Sequence, residues 1–90
     1  MDRWEKGMLA KSLAGHDKGK VYVIINIEET MVYLADGENR TLDKLKKKKK
    51  KHIQIIKNVP EEVAECYNDM EALKDEMIRK AIKVYKGKIN

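Results

Sequence analysis

The chain has 90 residues, 42% hydrophobic and 39% charged, with a formal net charge of +5; this suffices for one compact domain with an attached element, but not for two separate cores of ordinary size. No stretch approaches the roughly 20 apolar residues that a membrane span needs, and the first residues, MDRWEKGML, mix acids with bases where a signal peptide would be apolar, so a cytoplasmic location is expected. The single cysteine, Cys66, can form no internal disulfide, and neither His16 nor His52 stands at a metal-ligand spacing from it, so no metal or cofactor site is expected.

Short apolar segments separated by turn residues fill the first part of the chain, residues 1–58, which we take as one barrel domain. In the clearest, KVYVIINI, alternate residues Val21, Val23, Ile25 and Ile27 would share one face of a strand. The preceding AGHDKG contains two glycines and predicts a hairpin turn. The predicted strands are residues 8–13, 20–27, 31–35, 40–42 and 52–56. Five short strands with tight connections favour a five-stranded SH3-like β-barrel over an open sheet with exposed edges.

From residue 59 to residue 90 the apolar residues are spaced three or four apart, which predicts an amphipathic helical tail and an α+β fold. Asn68 and Asp69 could divide it, so one long helix and a helical hairpin both stay open. Near its end, Lys80, Lys83 and Lys86 would complement the negative end of the helix dipole. The apolar stripe must be buried against the barrel or against another chain.

Positive charge is concentrated in the barrel segment. Residues 1–58 contain 14 Lys and Arg against 8 Asp and Glu, a net charge of +6, whereas residues 59–90 contain 6 against 7, a net charge of −1. Such a surplus attracts polyanions, which could be nucleic acid, an anionic membrane surface or an acidic protein.

Six consecutive lysines, residues 46–51, are the strongest electrostatic feature. Because a core position would not tolerate these charges and like charges repel one another, we expect a solvated, mobile loop. Phosphate contact is the favoured role, and a solubilising or nuclear-import segment is the alternative. Of the few aromatic residues, Tyr22 and Tyr33 could form an exposed pair, but packing beneath the tail is favoured.

Three segments carry a family resemblance: SLAGHDKGKVYVIINI, YLADGENR and KKHIQ, in this order. Together they resemble the KOW family, and more closely its bacterial RNA-binding members, which are similar in turn to a large-subunit ribosomal protein of archaea and eukaryotes. The resemblance covers about residues 7–56. It implies an SH3-like barrel, ribosomal RNA as the usual ligand, and RNA-facing loops containing Lys18, Lys20 and Arg40.

The hypothesis from the sequence is therefore a non-enzymatic protein that binds RNA, ribosomal or ribosome-associated, through the phosphate backbone. No nucleophile with a nearby base and no nucleotide-cradling loop is recognisable, so catalysis is not expected. The candidate RNA-binding residues are His16, Lys18, Lys20, Arg40, Lys44, Lys46, Lys47, Lys48, Lys49, Lys50, Lys51 and His52. An alternative is an interaction adaptor that binds a protein, such as a ribosomal or translation-related one, through the C-terminal helix, where Met70 and Met77 would suit an adaptable interface. Attachment to anionic lipid is a weaker third possibility, and no membrane partner is expected.

Overall fold

The computed structural model describes residues 3–57, 59, 61–64 and 72–89. They form five strands, β1 Leu9–Ser12, β2 Val21–Ile27, β3 Met31–Ala35, β4 Lys46–Lys49 and β5 Ile53–Ile55, and two helical segments, α1 Glu61–Ala64 and α2 Asp75–Ile89. A short 3-10 turn, Lys50–His52, joins β4 to β5. The predicted α+β class is confirmed.

The strands form one antiparallel sheet in the order β4-β3-β2-β1-β5. Its two edge strands, β4 and β5, are consecutive in the chain. The 3-10 turn between them is bonded at both ends, because the Lys50 amide donates to the Thr30 carbonyl (2.9 Å) and the Leu13 amide donates to the His52 carbonyl (2.8 Å). The bond from Lys50 holds the end of β4 close to the β2–β3 connection, and the bond from Leu13 holds the start of β5 close to the β1–β2 connection.

Four of the five predicted strands lie where the sequence placed them, but the strand predicted at residues 40–42 is wrong. That segment follows a turn closed by Asp36, whose carboxylate accepts hydrogen bonds from the amides of Glu38 and Arg40, both at 2.9 Å. The Asp36 amide in turn donates to the Arg40 carbonyl (2.9 Å). The pairing partner of β3 is instead the lysine segment, so the predicted mobile lysine loop is also wrong for residues 46–49.

Both faces of the sheet are covered by apolar side chains. The helix-side cluster consists of Leu9, Val21, Val23, Ala35, Val63, Ile78, Ala81, Ile82 and Tyr85. The far-side cluster consists of Ala10, Tyr22, Ile24, Val32, Leu34 and Ile53. Strand β2 supplies both clusters by strict alternation up to residue 24, as expected for a strand buried on both faces.

A bulge in β2 changes the predicted face of Ile27. The register with β3 shifts between Ile24 and Asn26, so Ile25 is an extra residue on this strand. Beyond the bulge Ile27 packs against the far-side cluster, whereas Ile25 packs against the helix-side cluster. The prediction that these two residues share one face is therefore wrong.

The described part of the tail contains the helical segments α1 and α2, and Leu73 and Lys74, directly before α2, are not helical. The break predicted at Asn68 and Asp69 lies outside the described residues, as do Cys66 and Met70. Among residues 75–87 of α2, the side chains of Ile78, Ala81, Ile82 and Tyr85 are buried, and their spacing forms one helical stripe. Since each large apolar side chain contributes about 1.5 to 3 kcal/mol on burial, this stripe is the main attachment of α2 to the sheet.

The start of α2 rests on the turn that follows β3. The Leu42 amide donates to Asp75 Oδ1 (2.8 Å), and the Arg79 guanidinium donates to the Gly37 carbonyl (2.6 Å). Gly37 has a φ of +80°. A Cβ atom there would lie 2.8 Å from Arg79 Cγ and 3.0 Å from the Arg79 amide nitrogen, and closer still to the Asp75 carbonyl.

We expect Gly37→Ala to lower the free energy of unfolding by about 3 kcal/mol, because it combines an unfavourable positive φ with overlap against the backbone of α2. Gly19→Ala is the matched control, since Gly19 has a φ of +89° but no atom within 4 Å of its added Cβ, and it should cost only about 1 kcal/mol. Urea denaturation of both variants measures the difference. Equal losses would contradict the close contact between Gly37 and α2.

Candidate nucleic-acid interface

The β1–β2 connection, residues 13–20, is a compact turn that exposes two candidate residues. It is closed by hydrogen bonds from the Gly19 amide to the Ser12 carbonyl (2.8 Å) and from the Lys20 amide to the Asp17 carbonyl (2.9 Å). Gly15 and Gly19 both have positive φ, which explains the two glycines of the sequence pattern. The side chains of His16 and Lys18 are exposed at the tip.

The side chain of Asp17, in the same turn, points inward and accepts hydrogen bonds from three donors. Its carboxylate accepts hydrogen bonds from the Ser12 hydroxyl (2.8 Å), the Tyr22 hydroxyl (2.7 Å) and Lys48 Nζ (2.5 Å). Lys48 Nζ also donates to the Ala14 carbonyl (2.7 Å). This contact connects the β1–β2 turn to the lysine strand β4, and sequence reasoning missed it because a single aspartate in a turn gives no signal of its distant partner.

The ionisation of Asp17 and Tyr22 is shifted by this arrangement. Burial opposes the charged form of Asp17, but the hydrogen bonds from Lys48, Tyr22 and Ser12 together outweigh it and hold the pKa of this carboxyl well below its ordinary value. Burial, followed by the hydrogen bond to the Asp17 carboxylate, raises the pKa of Tyr22 well above its ordinary value. The contact is therefore an ionised carboxylate bound by a neutral phenol and an ammonium group.

The lysines of β4 alternate between two environments. Lys46 and Lys48 stand opposite Leu34 and Val32, members of the far-side cluster, and are half-buried. The Lys48 side chain is only 10% exposed and that of Asp17 only 15%. Lys47 and Lys49 project to the other side and are exposed. Of the six candidate lysines, Lys48 is thus held in an ion pair with Asp17 and has a structural role.

Two of the remaining lysines lie against aromatic rings. Lys47 Nζ is 5.7 Å from the centre of the Tyr33 ring, whose hydroxyl donates to Glu28 Oε1 (2.8 Å). Lys50 Nζ is 5.5 Å from the centre of the Trp4 ring. These distances are within the range of cation–π attraction, which orients an ammonium group without neutralising it.

The two tyrosines lie in different places, so neither of the arrangements predicted for them as a pair is present. Tyr22 is 2% exposed and belongs to the far-side cluster, away from α2. Tyr33 points to the opposite side and is half-buried beside Lys47.

The other candidate residues differ in accessibility. Lys20 Nζ forms an ion pair with Asp36 Oδ2 (2.7 Å) and lies 5.7 Å from the centre of the Tyr22 ring. Burial opposes the charged form of Asp36, yet the hydrogen bonds from Lys20 and from two backbone amides lower the pKa of this carboxyl. Lys20 is thus committed to this pair. Arg40 and His52 are half-buried, while Lys44 and Lys51 are exposed.

A second set of cations faces a groove beside α2, formed by Arg79, Lys80, Lys83, Lys86 and Lys20. For Lys80, Lys83 and Lys86 the sequence analysis predicted only a role in the helix dipole. Their spacing of three residues was the available signal, but it did not tell which side of the helix would face the sheet.

No family model matches the sequence, and no curated protein is significantly similar to it. Within the part of the chain that the structure describes, no cluster of His, Cys, Asp and Glu side chains could hold a metal ion. Among the same residues, none of the helices combines the length and the apolar character that crossing a membrane requires.

We expect Lys48→Met to lower the free energy of unfolding by about 3 kcal/mol, because it leaves the Asp17 carboxylate in a half-buried position without its ammonium partner. Lys49→Met removes the same charge from the exposed side of the strand and should change stability by less than about 0.5 kcal/mol. Thermal or urea denaturation compares them. A loss of similar size in both variants would mean that Lys48 has no special role.

The low pKa of Asp17 predicts how stability depends on pH. Because its pKa is lower in the folded than in the unfolded chain, its contribution is complete above about pH 5 and is lost as the pH falls through the folded value. Asp17→Asn removes this contribution, so the gap in unfolding free energy between wild type and variant should shrink from pH 5 to pH 2. Urea denaturation at several pH values measures this gap, and a gap independent of pH would contradict an ionised Asp17.

Proposed function

We propose that this chain is a non-enzymatic RNA-binding protein that contacts the phosphate backbone through the exposed cations of the β1–β2 turn and of the segment from β4 to the 3-10 turn. The observation that carries the proposal is the contact between Asp17 and Lys48. It holds the turn with His16 and Lys18 beside the strand with Lys47 and Lys49. Two basic segments distant in sequence are thereby held close to each other.

The proposed fold of residues 1–58 is the SH3-like barrel of the KOW family. The sheet order supports it, since the two edge strands are consecutive and a three-residue turn joins them. The far-side cluster also supports it, because β1, β2, β3 and β5 all contribute side chains to one apolar interior. Closure of the edges would remove the open sides that a five-stranded sheet otherwise leaves.

The proposed contact residues are the exposed and half-buried basic residues that form no ion pair within the part of the chain that the structure describes: His16, Lys18, Arg40, Lys44, Lys46, Lys47, Lys49, Lys50, Lys51 and His52. Lys20 and Lys48 are assigned to positioning instead, because each is paired with a carboxylate. Lysine ammonium groups act as point charges, whereas arginine forks suit bidentate reading of bases. The preferred ligand is therefore structured RNA recognised by shape, with ribosomal RNA in the cytoplasm as the first candidate from the family resemblance.

The adaptor alternative receives less support. Its interface would be the apolar stripe of the C-terminal helix, but Ile78, Ala81, Ile82 and Tyr85 are buried against the sheet. A partner protein would have to displace α2 to reach them. This burial argues against the described part of the stripe as a protein interface.

The double variant Lys47→Gln/Lys49→Gln tests the proposal. Loss of two phosphate contacts should reduce the slope of log affinity against log salt by about 1.5 and weaken binding to an RNA hairpin roughly 30-fold at 0.1 M salt. Fluorescence anisotropy with labelled RNA over a salt series measures both quantities.

The matched control is Lys6→Gln/Lys74→Gln, which removes two exposed charges outside this surface and should leave the slope nearly unchanged. Wild-type protein that binds no RNA even at low salt would refute the proposed function. Equal effects of the two double variants would mean that only overall charge matters.

A further inference from the structure

A groove of about 450 Å³ runs between α2 and the loops at one end of the sheet. Five cationic residues line it, Lys20, Arg79, Lys80, Lys83 and Lys86, against two acidic ones, Asp36 and Glu38. The lining therefore has a net charge of +3. Its apolar floor comes from Val21 and Ile82, which keeps water from surrounding the cations on every side.

The basic residues in the second half of α2 have few acidic neighbours on the helix. The acidic residues of α2 are both in its first turn, Asp75 and Glu76. From residue 77 onward the sequence of α2 contains basic but no acidic residues, so Glu76 lies one turn before Lys80, while no acidic residue of the helix lies one turn away from Lys83. Among the described residues, neither lysine forms an ion pair with an acid.

The two acidic residues of the groove offset its positive charge less than their number suggests. Asp36 is only 8% exposed and is bound by Lys20 and by two backbone amides, so its charge is compensated locally. Glu38 is exposed at the edge. Arg79 donates one guanidinium nitrogen to the Gly37 carbonyl (2.6 Å), which fixes the position of the arginine and leaves its other donors for a ligand.

Lys20 connects the groove to the proposed RNA surface. It directly follows Gly19, at the end of the turn that exposes His16 and Lys18, and it lines the groove through its pair with Asp36. A polyanion lying across the turn would therefore reach the groove without leaving the protein surface. Since an RNA backbone carries a charge at every nucleotide, it can occupy both places at once.

We propose that this groove is a second contact site for the phosphodiester backbone of RNA, in which Lys80, Lys83 and Lys86 bind successive phosphates and Arg79 is held in place by Gly37. The inference rests on the proposed function and extends it from the strand surface to the helical tail. It assigns α2 two roles, burial of its apolar stripe and presentation of a cationic row about 9 Å long.

The test uses the full chain and the double variant Lys80→Gln/Lys83→Gln with the same RNA hairpin. We expect the slope of log affinity against log salt to fall by about 1.5 and affinity at 0.1 M salt to fall roughly 30-fold. Because both side chains are exposed, the variant should keep the wild-type helical circular dichroism and unfolding midpoint, so a loss of binding reports on the groove.

The outcomes separate this inference from the proposed function. A slope equal to that of Lys6→Gln/Lys74→Gln, while Lys47→Gln/Lys49→Gln still loses affinity, would overturn the groove and leave RNA binding intact. Absence of RNA binding by the wild type would overturn both. Phosphatidylserine vesicles provide a further arm: a groove variant that loses vesicle binding but keeps its RNA slope would make the groove a lipid contact and refute the inference.

Discussion

The ion pair between Lys48 and Asp17 is the interaction on which the arrangement of the basic surface depends. Removing an ammonium and a carboxylate from water costs several kcal/mol each, and their mutual attraction alone seldom exceeds this cost. Here every participant has additional partners, because Lys48 also donates to Ala14 and Asp17 also accepts from Tyr22 and Ser12. The main result is geometric: two segments 31 residues apart are held in one relative position.

The same pair explains how a run of identical residues can have two uses. In a strand successive side chains point to opposite sides, so the residue that fills the buried place beside Asp17 leaves its neighbours outside. Lys47 and Lys49 are consequently about 7 Å apart on the exposed side. Neutralisation of Lys48 by Asp17 also reduces the repulsion within the run, which makes a lysine strand tolerable at the edge of a sheet.

The sequence predicted those features whose causes are local. Strands β1, β2, β3 and β5 follow from alternation and flanking glycines, and α2 from its helical spacing. Strand β4 could not be found in this way, because identical lysines have no apolar pattern and the partner that stabilises them lies in another turn. The side chain of Asp36 converts residues 36–40 into a closed turn, where alternation alone suggested a following strand. The bulge at Ile25 likewise depends on how β2 pairs with β3, and the residues next to Ile25 do not indicate this pairing.

The sequence indicated which basic residues could form the candidate site, but not how the fold would arrange them. His16, Lys18 and Lys44 are exposed, as expected from the sequence. Lys20 and Lys48 instead form ion pairs with Asp36 and Asp17, and the sequence pattern does not indicate these pairs. The groove beside α2 was missed because its walls come from distant segments. Such a site exists only after the helix has docked, and docking depends on the approach that Gly37 permits.

The position of Trp4 beneath Lys50 gives the molecule a built-in optical reporter. The sequence contains one tryptophan, and its indole ring lies 5.5 Å from an ammonium group at the end of the lysine strand. Emission from an indole responds to the charge and hydration next to it. Any anion that draws Lys50 away from the ring therefore changes the intrinsic fluorescence of the whole protein, without a dye and with no contribution from a second indole.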